Sequence, residues 1–220
     1  MNDLAVQSLP DRRRPPRKRD AATTRESLLA AALEEFCANG FDGARTATIA
    51  RRAGFNIRMI YHYFGSKEGL YIAALERVYE QLRSEEEKLD LLHLDAVEGM
   101  TALVRFTFDH MLEHQEFIHM IGAENIQRGR FLKQSSSVRR AALPLVNAIR
   151  DLLERGQSAG VFRSGVDPVQ LYISILSLSY VHISNRHTLS ITFGHDLGDP
   201  DWLSARRSHA CDVILGYLRP

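Results

Sequence analysis

Cysteine is scarce in this chain of 220 residues: Cys37 and Cys211 lie far apart, and neither belongs to a CxxC pair. That argues against a disulfide framework or a thiolate metal site, and both are read as reduced thiols. No apolar run approaches the ~20 residues needed to cross a bilayer, which sets membrane insertion aside. The first 20 residues hold Leu4, Ala5, Val6 and Leu9 but no signal-peptide core, and the arginines follow these residues instead of preceding them. A cytoplasmic location is expected. A Walker loop, a dinucleotide-binding glycine run, Ser-His-Asp order and paired-carboxylate spacing are also missing, so neither an enzyme nor a cofactor is expected. Strand-like alternation is absent as well. The net charge is only +1, which is little for a nucleic-acid binder.

The distribution of charge says more than its sum. Residues 1–70 hold 12 Lys/Arg and 8 Asp/Glu, so this part carries about +4 and the remainder about −3. A basic end on a mildly acidic body suits a protein that turns one end to phosphate. Six of the positive charges fall within residues 12–19, interrupted by Pro15 and Pro16. Prolines and self-repulsion predict a disordered arm over 1–22, serving either as an electrostatic tether to DNA or simply as a solvated leader.

Apolar residues recur at helical spacing through the rest of the chain and predict an all-α protein of about nine helices. The first is expected over 24–39, from Leu28, Leu29, Ala32, Leu33 and Phe36, with Gly40 as its stop. Asp95 followed by Glu98 resembles a capping box opening 95–114. Further helices are expected over 116–129 and 138–158, where Pro144 marks a kink or the true start. Asp167 before Pro168 and Asp199 before Pro200 each place an N-cap ahead of a first-turn proline, opening 169–187 and 201–218.

The informative stretch is 46–70, TATIARRAGFNIRMIYHYFGSKEGL. Ile49, Ala50 and Ala53 form an apolar face, Gly54 allows a sharp turn, and Asn56 can cap the next helix. That second helix, over 57–64, buries Ile60 and Phe64 and leaves Arg58, Tyr61 and His62 outside. Ser66 caps a third, long helix through Tyr71, Leu75, Val78 and Leu82. Two helices crossing at a glycine turn make a helix-turn-helix DNA reader.

At these residues the chain resembles the TetR family of bacterial transcriptional regulators. Ile49 and Ala50, Ala53 to Asn56, Tyr61 to Phe64, Ser66 to Glu68 and Leu70 fall in register with that family's pattern. Arg155, Gly156, Gly160 to Arg163, Asp167 and Pro168 echo a loop that many members carry before their dimerisation helices. The resemblance implies a DNA-binding domain over 23–69 and an effector-binding and dimerisation domain over 70–220. It also implies a homodimeric regulator, a repressor in most members, that binds a palindromic operator and is released by a small molecule. A ligand-independent DNA binder whose body holds a protein partner is the alternative.

DNA contacts are expected from Arg45, Thr46, Thr48, Asn56, Ile57, Arg58, Tyr61, His62 and Lys67. Tyr61, His62 and Lys67 are expected on phosphates, and Asn56, Ile57 and Arg58 on bases. Those last three depart from the family's commonest residues, so the target cannot be borrowed from relatives. Arg51 and Arg52 are read as solvated or paired with Glu34 or Glu35.

For the effector pocket, Phe106, His110, Met111, His114, Phe117, Met120, Ile121, Tyr172 and Tyr180 mix apolar bulk with polar handles, as pocket walls do. The dimer face is expected on Leu171, Ile175, Leu178 and His182, with Val213, Ile214, Tyr217 and Leu218 from the last helix. His110 and His114 stand one helical turn apart and could bind a metal. Asp109 and Glu113 stand beside them and His119 lies beyond, but the order is not that of HExxH and no cysteine cluster or second ligand group accompanies the pair, so it is read as polar or core and no metal is expected.

Overall fold

The computed structural model describes residues 18–220, which form eleven α-helices and two 3₁₀ turns with no strand among them. The arm expected over 1–22 lies outside the described residues up to position 17. Helix α1 (Lys18–Gly43) begins earlier than expected, and Gly40 interrupts it with φ +62°, a value that favours glycine, before one last turn. The reader is built from α2 (Thr46–Arg52) and α3 (Arg58–Phe64), and α4 (Lys67–Glu86) leads out of it. Ser66 caps α4 by accepting a hydrogen bond from the Gly69 N–H at 3.0 Å.

The body contains α5 (Ala96–Glu113), α6 (Gln115–Ile126), α7 (Ser136–Ala141), α8 (Leu143–Ser158), α9 (Pro168–Ser184), α10 (Arg186–Phe193) and α11 (Pro200–Leu218). Asp95, Asp167 and Asp199 cap α5, α9 and α11 as expected, accepting from backbone N–H groups in each first turn. The helix expected over 138–158 is two helices, because Pro144 sits in the first turn of α8 and marks its beginning. The other addition is α10, which buries none of its residues and so has no inward stripe to reveal it.

Two apolar clusters hold these elements. The first joins Leu28, Leu29, Phe36, Ile49 and Ile60 of the head to Tyr71, Leu75, Val78 and Leu82 of α4. It continues into Met111, Phe117, Met120 and Phe131, so it crosses the expected boundary at 69/70. Tyr71 meets Phe36 at 4.9 Å and Phe131 at 4.8 Å between ring centroids, both near edge-on. The second cluster packs α5 against α8, α9 and α11.

The Arg155–Gly156 echo has a structural basis. Arg155 donates to the carbonyls of Leu91 (2.8 Å) and Leu94, tying α8 to the turn before α5. A Cβ at Gly156 would lie 2.0 Å from the Phe162 ring, so only glycine lets that buried ring rest on the helix.

Candidate nucleic-acid interface and effector cavity

The head is positioned by a buried carboxylate. Glu35 on α1 is 5% exposed and accepts from the Arg45 N–H at 3.2 Å, the residue that opens α2. Arg52, the last residue of α2, pairs with Glu35 at 3.5 Å and with Glu34 at 3.4 Å. One side chain thus holds both ends of α2, a role that a glutamate in an amphipathic helix does not announce in sequence. Gly54 (φ +76°) makes the turn, and the Phe55 N–H closes on the Ala50 carbonyl at 2.9 Å. The Asn56 side chain accepts from the Arg58 N–H at 2.9 Å, stabilising the start of α3.

Ile60 is fully buried and anchors α3. Its outer face shows Arg58, Tyr61 (50% exposed) and His62, three and four residues apart, beside exposed Asn56. Ile57 is half-buried against the head's core, which leaves only part of it for a base edge. Phe64, expected in the core, is half-buried with the Arg25 guanidinium over its ring at 5.2 Å. Arg45 is exposed at the N-terminus of α2, with Thr46 and Thr48 half-buried beside it. The Lys67 ammonium donates to the Asp42 carbonyl at 3.4 Å and lies 4.8 Å from the centre of the Phe41 ring. It starts tied to the head instead of extended toward solvent.

In the body, a cavity of about 300 Å³ opens between α4, α5, α6 and α9. Of the expected pocket residues, Met111, Phe117, Ile121, Tyr172 and Tyr180 line it. Phe106, His110, His114 and Met120 do not. Tyr79, Arg83 and Asn125 join the wall, and no local pattern singles them out in sequence. Arg83 and Tyr172 belong to a buried network: Arg83 pairs with Glu86, and the Tyr172 hydroxyl donates to Glu86 at 2.9 Å. Burial pushes the Glu86 carboxyl above its ordinary value against the pull of Arg83. Burial also raises the Tyr172 phenol, and the negative Glu86 adds to it.

The apolar stripe expected at a dimer face turns inward. Leu171, Ile175, His182, Ile214 and Leu218 are buried within the chain, and Leu178 is half-buried. Of that set, Val213 (40%) and Tyr217 (48%) are exposed, while α9 shows Val169, Ile173 and Val181 on its outer side. His182 stacks on Phe108 with centroids 4.8 Å apart, and the Leu178 carbonyl is the hydrogen-bonding group beside its ring. Burial, and then Arg206, lower its pKa to about 4.

His110 and His114 lie apart from the cavity but do meet a further ligand group, contrary to the sequence expectation. Glu85, at the far end of α4, brings its carboxylate to both rings. Burial lowers the pKa of His110 despite that neighbour.

Comparison with known proteins agrees with this geometry. Residues 28–74 match the model for bacterial regulatory proteins of the tetR family, and residues 97–214 match that of the tetracyclin repressor-like C-terminal domain. The HTH-type transcriptional repressor NicS of Pseudomonas putida is 38% identical over 207 residues, covering 92% of this chain and 96% of the relative. Among solved structures, the transcriptional regulator SCO4942 of Streptomyces coelicolor is similar with a TM-score of 0.67 at 24% identity, over 90% of this chain and 99% of that one. FadR of Bacillus subtilis, solved with stearoyl-CoA, has a TM-score of 0.66 at 18% identity, over 88% and 99%. The chain belongs to the TetR family of DNA-binding transcriptional regulators.

Proposed function

We propose that the chain is a homodimeric repressor that binds a palindromic operator through α2 and α3 and leaves it when a small molecule fills the body cavity. The observation that carries this reading is the outer face of α3, where Asn56, Arg58, Tyr61 and His62 stand exposed on a helix whose opposite side is anchored by Ile60. Arg58 suits bidentate contact with a guanine edge, while Tyr61 and His62 suit phosphate oxygens. Arg45, Thr46 and Thr48 take phosphates at the start of α2, and Lys67 does so after exchanging the Asp42 carbonyl for DNA.

A single recognition helix reads few base pairs, so specificity asks for two heads on two half-sites. The exposed apolar residues Val169 of α9 and Val213 and Tyr217 of α11 supply the surface for pairing, bordered by Ile173 and Val181, which also join the cavity wall. The cavity of about 300 Å³ favours an effector over a purely protein-bound body. Its aromatic and aliphatic walls, with Arg83 and Asn125 as polar points, fit a compact apolar molecule bearing one or two polar groups. Effector and DNA then compete through two conformations of the dimer, each weakening the other by the same factor. No helix among the described residues is long and apolar enough to cross a membrane, and the proposed site of action is the cytoplasm.

Selection from random duplexes, then sedimentation of the complex, tests the reading. Inverted repeats bound by two chains are expected. Enrichment of no motif, or binding by a single chain, would overturn it.

A further inference from the structure

We propose that Glu85, His110 and His114 form a binding site for one divalent first-row transition ion, zinc by the character of its donors, where α4 meets the junction of α5 and α6. His110 lies in the last turn of α5 and His114 follows it at the junction with α6, with ring centroids separated by 4.2 Å. Glu85 arrives from a different helix. Its Oε2 lies 2.9 Å from His110 Nδ1 and 3.6 Å from His114 Nε2. The ligand atoms of all three residues fall within 4.8 Å of one another.

These separations suit an ion. Tetrahedral zinc with bonds of about 2.0–2.1 Å holds neighbouring ligand atoms about 3.3–3.4 Å apart. The two distances from Glu85 straddle that value. Two imidazoles and one carboxylate form a donor set that favours zinc and its transition-metal neighbours over magnesium or calcium. The charge suits the ion too, because two neutral rings and one carboxylate leave a single positive charge on the centre.

The surrounding groups are arranged as supports for ligands. His114 Nδ1 lies 3.1 Å from Glu116 Oε1. When that nitrogen carries the proton and donates to Glu116, Nε2 is left free on the side of Glu85, the usual carboxylate–histidine–metal arrangement. Gln81 Nε2 donates to the other oxygen of Glu85 at 3.2 Å, which leaves Oε2 to the ion. The same amide nitrogen lies 3.2 Å from His114 Nδ1 and 3.5 Å from Nε2, and as a donor it must turn from Nδ1 when that nitrogen carries the proton. His110 is 1% exposed and walled by Phe106 and Phe117, whereas His114 (23%) and Glu85 (28%) reach solvent. An ion can therefore enter from the surface and rest against a dry wall, keeping its fourth position for water.

The test uses the full chain, stripped with a chelator and dialysed against zinc chloride, with bound metal counted by mass spectrometry. One zinc per chain is expected. Cobalt(II) in its place should show the intense visible absorption of tetrahedral nitrogen and oxygen ligation. H114Q and E85Q should each lose the ion and the cobalt spectrum while keeping the parent's circular dichroism. E116Q should keep the stoichiometry and weaken affinity about 10–100-fold. H209Q, altering an exposed histidine of α11, should bind as the parent does. Failure of the parent to hold zinc, or undiminished binding in both H114Q and E85Q, would leave the cluster as a hydrogen-bonded network and overturn the proposal.

Discussion

Replacing Glu35 with alanine probes what holds the reader in place. The lost carboxylate is 5% exposed and accepts from the Arg45 N–H at 3.2 Å. A hydrogen bond to a charged acceptor contributes about 1.5–3 kcal/mol. The Arg52 pair adds less than about 1 kcal/mol, because the Arg52 side chain is 40% exposed and solvent screens it. Together E35A should lose about 2–4 kcal/mol in urea melts. Each kcal/mol lowers the Tm of a chain this size by about 2–4 °C. E35Q keeps the volume and one acceptor for the Arg45 N–H, so it should lose about half as much. Because α2 buttresses α3, E35A should also weaken binding to DNA selected by the parent, measured where the variant is still folded. Equal losses in E35A and E35Q would show that the carboxylate's charge carries the whole effect, and that shape and a neutral acceptor contribute nothing. Parental stability in E35A would refute the argument outright.

Arg58→Ala should relax base preference at one position of each half-site, at a cost of about 1–3 kcal/mol; an unchanged selected motif would remove Arg58 from base readout. Tyr61→Ala should weaken binding to all duplexes alike in a fluorescence titration, and a shifted motif would count against a phosphate role. Gly156→Ala puts a methyl 2.0 Å from the Phe162 ring and should cost about 1–3 kcal/mol in denaturant melts. His182 has a folded pKa of about 4, below its ordinary value, so the unfolded chain takes up the proton first. Its contribution, about 3 kcal/mol, is whole above pH ~6.5 and is lost as pH falls to about 4. H182F, which keeps the stack on Phe108, should flatten stability across that window, and an unaltered slope would assign it to other groups.

What could be read from the sequence was local. The turn at Gly54, the Ser66 cap and the Asp–Pro helix starts each depend on a few adjacent residues, so the residue types dictate the geometry directly. Partners across the fold were not legible. Periodicity showed that Leu171, Ile175 and His182 share a face, but not that α5 covers it. The His110–His114 pair was visible, whereas Glu85 stands 25 residues away on another helix. Glu35 looked like any solvated glutamate until α2 folded over it. Pocket residues divided in the same way: helical spacing grouped Phe106 and His110 with Met111, and only packing separates those that reach the cavity.

The apolar cluster running from Phe36 and Ile60 through Tyr71 to Phe117 and Phe131 bears on how this molecule comes apart. A chain cut at residue 69 would strip Tyr71, Leu75 and Val78 from the head and leave Phe36 facing water. The excised reader should then be poorly folded in isolation, and native amide exchange should show α1 through α6 opening together. On that expectation a transplantable head would have to carry α4 and α6 with it, because the apolar cluster beneath the reader extends into both.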